Sequence, residues 1–296
     1  MATPQHLNPA RLACLTLLLA MGCESDAPSK DADADADADG LTDAFEAQVG
    51  TQPDQADSDG DGCDDALEVL SYFDPLDAED RPYQGVYPRG PRPDDAAFAE
   101  MAETFGAGFE TGQQNTNWTL LDQHGEAVEL YDLYGQVVLV LIAREWCEPC
   151  QEDAQALEPL YQEQKDRGFV VLNLMLEGIQ DDSPPQTDRW AEYWGLSYPI
   201  LGDHSPGDYT QTDAALHYIN TPNLYYETPN HTLLDRQLRT VTLYDLNGLD
   251  PDKINGLIDT PVPEVEVLLP ENVDALREEL GLNPDSWLVS PELCEG

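Results

Sequence analysis

At 296 residues the chain is long enough for one globular domain with smaller attachments, and 59 Asp and Glu against 13 Lys and Arg give it a formal net charge of −46. Such a surface repels phosphate, which excludes nucleic acid as a partner and favours cations. The acid is uneven: 20 of the carboxylates fall between Glu24 and Asp80, where Lys30 is the only base.

Residues 1–22 read as an export signal. Arg11 precedes an apolar run, Leu12 to Cys23, that is too short to span a bilayer comfortably. Ala20-Met21-Gly22-Cys23 resembles the bacterial lipobox, with Ala20 where the pattern prefers leucine. The resemblance implies that Cys23 is diacylated and anchors the mature chain to a membrane of the cell envelope, facing periplasm or exterior. Cleavage by ordinary signal peptidase and a retained anchor are the alternatives.

After an acidic tether, 23–34, comes a segment of alternating Asp and Ala. Asp35, Asp37, Asp39, Gly40, Asp43 and Glu46 occupy positions 1, 3, 5, 6, 9 and 12 of a calcium loop, and Asp57, Asp59, Asp61, Gly62, Asp65 and Glu68 repeat the pattern 22 residues later. Alternate short carboxylates converge, glycine allows the sharp turn, and the longer Glu closes the shell with two oxygens. Residues 35–80 resemble the calcium-binding repeats of thrombospondin type 3 and dockerin-type half EF-hands, which implies bound calcium. A solvated acidic spacer is the competing reading.

Residues 81–104 read as a proline-rich linker, with a short helix over 94–104. The globular part is expected over 105–260. Two short strands flank a turn at His124-Gly125, and Gln136 to Ala143 is a continuous apolar run of the kind that forms a strand buried on both faces. A helix follows Cys147, with Ala156, Leu157, Leu160 and Tyr161 at helical spacing and Gly168 closing it. "FVVLNLML", a helix at "TDRWAEYWG", "YPIL", a hairpin in "TLLDRQLRTVTLY" and a helix from Pro251 complete a βαβ-type order, hence an α/β fold. Residues 261–296 are a C-terminal extension.

Cys147 and Cys150 stand where the buried strand hands over to a helix. The first amides of that helix favour a thiolate at Cys147, while Cys150, one turn in, is shielded and suits a resolving role. A zinc site would need a second close pair, and Cys63 and Cys294 are single and far apart. A disulfide over so small a loop would add little stability. A redox couple remains.

"WCEPC", "YPILGD" and "TPNHTLLD" resemble the TlpA/ResA branch of thioredoxin-like proteins, the exported, membrane-anchored thiol–disulfide oxidoreductases. The resemblance covers roughly Phe105 to Asp259. It implies a central sheet flanked by helices, a redox-active cysteine pair without organic cofactor, and a cis-proline loop facing the cysteines. Of the two candidates, Pro222 and Pro229, Pro229 has the matching strand and Asp235 after it. The expected partners are disulfide-containing exported proteins and an upstream thiol donor or acceptor. Three residues after Cys150 the ResA-like proteins carry Glu; here Asp153 stands there, a candidate proton acceptor for Cys150 or a solvated carboxylate. The buried carboxylate that thioredoxins often carry six residues before the first cysteine is replaced by Leu141. Glu148 opposes thiolate formation and Arg144 favours it.

Three other readings compete. A peroxiredoxin-like antioxidant would carry threonine at Arg144 and proline at Val140. A copper-handling thioredoxin-fold protein could use Cys147, Cys150 and His231 as soft ligands, but that family spaces its cysteines by three residues. The third is a non-catalytic, calcium-stiffened surface protein. Setting aside Cys14, Cys23 and the 147/150 pair leaves Cys63 and Cys294, whose union is the simplest arithmetic for an oxidising compartment. An inert thiol or a bond to another chain is the alternative.

Overall fold

The computed structural model describes residues 34–78, 80–85, 87, 89–90, 92–178, 183–203, 214, 218, 228–242, 250–261 and 294. The expected signal peptide, Cys23, the tether up to residue 33 and residues 262–293 lie outside them. Among the described residues no helix is long and apolar enough to cross a membrane.

Two apolar heptapeptides make the centre. β3 (Val137–Ala143) and β4 (Phe169–Met175) bury every side chain, so neither face meets water, and they pair in parallel from Val137↔Phe169 to Ala143↔Met175. β5 (Ile200–Gly202) adds to β4 in parallel, and β6 (Asn230–Leu234) runs antiparallel along the other side of β3. β1 (Thr119–Leu121) and β2 (Ala127–Glu129) extend the β5 edge, and β7 (Thr240–Thr242) extends the β6 edge. The sheet order is therefore β2-β1-β5-β4-β3-β6-β7. The β1–β2 turn forms as its residues require: Gly125 takes φ 85°, and Asp122 accepts hydrogen bonds from the amides of His124 and Glu126.

Before the sheet lie α1 (Asp43–Val49), α2 (Asp65–Leu70) and α3 (Asp95–Phe105). After β3 and β4 come α4 (Glu148–Gln164) and α5 (Thr187–Trp194), and α6 (Pro251–Ile258) follows β7. Helix α6 starts as its sequence dictates, with Asp250 accepting from the amides of Asp252 and Lys253 and Pro251 in the first turn. α1 and α2 share a small core of Leu41, Phe45, Ala66, Val69 and Leu70, separate from the main one.

Helix α4 buries Cys150, Ala154, Leu157 and Tyr161, a stripe at intervals of four and three. The expected stripe is thus shifted: Ala156 is exposed and Ala154 takes its place, because the helix orients on Cys150.

Residues 81–93 do not behave as a free spacer. Tyr83 and Tyr87 are buried in the main core with Phe73. The Tyr83 hydroxyl donates to Asp132 Oδ2 at 2.5 Å, Arg92 Nη1 lies 2.8 Å from Asp132 and 3.0 Å from Glu129, and Arg89 bridges Asp80 and Asp132. Proline content governs the backbone of such a segment, whereas its tyrosines and arginines decide whether it docks. Phe98 of α3 continues the attachment by stacking on Tyr131, ring centroids 3.6 Å apart. Asp132 is the hub, itself 5 % exposed. Asp132→Ala leaves the Tyr83 hydroxyl buried without its acceptor and Arg89 with Asp80 alone, and is expected to lower stability by about 3 kcal/mol in urea unfolding. A loss below about 0.5 kcal/mol, the range of ordinary surface changes, would show that the cluster does not hold the segment.

Candidate active site and acidic loops

Cys147 caps α4. Its Sγ accepts the amide of Cys150 at 3.2 Å, and the two sulfurs are bonded at 2.09 Å. Cys147 is 4 % exposed and Cys150 is fully buried, so an incoming sulfur meets Cys147 first. Pro149 sits in the first turn, where its missing N–H costs nothing. Glu148, beside it, is exposed. Once the disulfide is opened, the amides of this turn and the helix dipole favour negative charge on Cys147.

The loop before β6 faces this turn. Thr228–Pro229 is a cis peptide, and the Thr228 carbonyl oxygen lies 3.5 Å from Cys147 Sγ. Pro222 lies outside the described residues. Arg144 is 2 % exposed; its Nη1 donates to Thr228 Oγ1 at 3.2 Å and its Nε lies 3.4 Å from Glu177. Its charge is therefore shared with Glu177, and it ties the proline loop to the end of β3. The Trp146 indole donates to Glu177 Oε2 at 3.1 Å and stays 48 % exposed beside the disulfide. Asp153 lies one turn beyond Cys150, with Oδ2 at 3.1 Å from Nε2 of buried His231. No local pattern signals the Arg144–Thr228 or Asp153–His231 contacts, which join segments more than 75 residues apart.

The two acidic loops are built alike. Asp35, Asp37 and Asp39 converge to within 4.8 Å, as do Asp57, Asp59 and Asp61. Gly40 and Gly62 take φ of 109° and 99° at the sixth position. One oxygen of Asp37, Asp59 and Asp61 accepts a loop amide, while the other is buried without a partner. Both carboxylate oxygens of Glu46 and of Glu68 are likewise buried and unpartnered. Burial above all, then the neighbouring aspartates, pushes Glu46 up to about 7 and Glu68 up to about 10. Unpartnered buried carboxylates facing an aspartate cluster suit a hard, oxygen-seeking cation, so the donor set fits calcium. Asp43 and Asp65 stand apart: each carboxylate accepts the amide of the second loop residue, Ala36 or Ser58, and so braces the loop. The loops also touch, since Asp39 Oδ2 accepts the amide of Ala66 in α2 at 3.1 Å.

Cys63, at the seventh position of the second loop and fully buried, is bonded to Cys294 at 2.12 Å. Non-reducing digestion is expected to release one peptide pair joining them. Recovery of both as alkylatable thiols from protein isolated without reductant would refute the bridge.

The AhpC/TSA family matches residues 111–215, a stretch that holds β1 to β5, both redox cysteines and α4. The central sheet with its flanking helices is a thioredoxin-like α/β fold. "Thiol-disulfide oxidoreductase ResA" of Halalkalibacterium halodurans is 32% identical over 93 residues, 31% of this chain and 50% of that protein. "Thioredoxin-like protein YneN" of Bacillus subtilis is 32% identical over 96 residues, 32% of this chain and 55% of that protein. The chain thus spans about half the length of the curated relatives it matches. The thioredoxin domain of a thiol-disulfide oxidoreductase from Bacteroides vulgatus superposes with a TM-score of 0.38 at 21% identity, covering 50% of this chain and 95% of that one.

Proposed function

We propose that this protein is an exported, lipid-anchored thiol–disulfide oxidoreductase that reduces or exchanges disulfides in other exported proteins, and that its N-terminal loops bind calcium. The observation that carries the redox reading is Cys147 at the cap of α4, its sulfur 3.5 Å from the Thr228 carbonyl and bonded to buried Cys150. In the reducing direction the Cys147 thiolate attacks a substrate disulfide. One substrate sulfur leaves as a thiolate and the other stays bonded to Cys147. Cys150 then displaces it, so the substrate gains two electrons and the 147–150 disulfide closes. The resemblance of the thioredoxin-like part to ResA supports this chemistry, and the lipobox supports an anchor at Cys23.

Calcium held by Asp35, Asp37, Asp39 and Glu46, and by Asp57, Asp59, Asp61 and Glu68, would neutralise the repulsion in each loop; Asp43 and Asp65 brace the loop backbone. The redox test is reduction of insulin disulfides with dithiothreitol as electron source. Turnover above the uncatalysed rate is expected, and none would overturn the reading. Labelling cells with radioactive palmitate tests the anchor: wild-type protein takes up label and Cys23→Ala does not. The family description brings one competitor, peroxide reduction. Arg144 at the position of the peroxidatic threonine disfavours it, and peroxide consumption matching disulfide turnover would favour it instead.

A further inference from the structure

Resting on that reading of Cys147 and Cys150, we infer that His231 is a positioning residue for the second half of the exchange, holding the Asp153 carboxylate where it takes the proton of Cys150. Leu141 of β3 pairs with His231 of β6 on one side and with Asn173 of β4 on the other. Residues paired across neighbouring strands project to the same face. His231 reaches Asp153 of α4, so this row lies on the face that α4 covers. Where an apolar Leu141 removes the carboxylate from the middle of the row, polar side chains flank it: His231, 4 % exposed, and Asn173, fully buried.

Asp153 follows Cys150 by three residues, which sets the two on the same side of the helix. Its Oδ2 is buried and lies 3.1 Å from His231 Nε2, off the axis of a good hydrogen bond in the closed disulfide. Catalytic contacts of this kind tighten when the reacting group arrives. Two ionisable residues among those described, Tyr198 and Arg144, do not compete for the proton. Tyr198, whose hydroxyl donates to the Ala154 carbonyl, is held neutral by burial, and Arg144 is engaged by Glu177 and Thr228.

In the step itself Cys147 Sγ is joined to a substrate sulfur. The Cys150 S–H proton passes to Asp153, the Cys150 sulfur bonds to Cys147 Sγ, and the bond from Cys147 to the substrate breaks. Its electron pair leaves on the substrate thiolate, which takes a proton from Asp153 or from water.

The test is a single turnover of the reduced full chain with oxidised glutathione, acid-quenched at intervals, with the peptide containing Cys147 and Cys150 followed by mass. Formation of the glutathione adduct reports attack by Cys147, and its decay reports closure by Cys150. His231→Leu is expected to form the adduct at a rate within about twofold of wild type and to slow its decay by about tenfold or more. His231→Gln, which keeps an N–H within reach of Asp153, should recover most of the decay rate. Asp153→Ala should slow decay alike, be restored by added formate, and cost nothing further in the His231→Leu background. Unchanged decay in His231→Leu, or equal slowing of both phases, would overturn the inference. Should His231→Leu not fold, His231→Asn, whose shorter side chain cannot keep the contact with Asp153, takes its place: slowed decay that Asp153→Ala does not slow further supports the inference, and decay at the wild-type rate overturns it. Absence of any adduct on wild-type Cys147 would instead sink the oxidoreductase reading itself.

Discussion

Cys147→Ser is expected to abolish disulfide reduction, while Cys150→Ala keeps the attacking step and accumulates substrates covalently joined through Cys147. The difference follows from position. Cys147 caps α4 with the Cys150 amide 3.2 Å from its sulfur, whereas Cys150 has no exposed surface from which to meet a substrate. Mass spectrometry of the joined species from cell extracts would name the substrates. Faster alkylation of Cys150 than of Cys147 in the reduced protein at neutral pH would reverse the assigned roles.

The second large effect concerns cations and protons at the acidic loops. In chelator at neutral pH the segment from Asp35 to Glu68 is expected to be digested rapidly by protease, and millimolar calcium to protect it, with the redox domain intact in both cases. Burial raises Glu46 to about 7 and Glu68 to about 10 from an ordinary value of 4.5, so the metal-free folded loops retain protons that the unfolded chain gives up. Metal-free stability therefore falls as pH climbs from 4.5 through those values, and is fully present only below 4.5. Calcium replaces those protons, so its affinity should weaken on acidification and its binding at pH 7 should release about one proton or more. Calorimetry in two buffers of different ionisation enthalpy measures that release. No heat at millimolar calcium would sink the cation reading.

How much of this was legible in the sequence depended on whether the cause was local. β3 and β4 are continuous apolar runs, and such runs declare burial on both faces without reference to anything else. The caps at Asp250 and Cys147 and the turn at Gly125 are equally local. The acidic loops could be placed by spacing, yet the bracing role of Asp43 and Asp65 could not, because it depends on which backbone amide each carboxylate meets. The docking of Tyr83, Arg89 and Arg92 on Asp132 was hidden by prolines that describe only the backbone. His231 looked like a soft ligand until β6 was placed beside β3, since strand register decides what lies under α4. Ala38 marks a local cost that composition conceals: it takes φ 66° where the second loop has Gly60 at 82°.

The docked segment 81–93 bears on where the redox centre can work. A lipid at Cys23 would put only the 12 residues 23–34 between the membrane and the first loop, a reach of about 40 Å if fully extended. Beyond that, Arg92 and Tyr83 fasten the chain to Asp132 and leave little further play. The disulfide is then held at a limited standoff from the bilayer rather than swept through a wide volume. Its clientele would be set by height, favouring polypeptides that pass close to the same membrane over those diffusing freely beyond it.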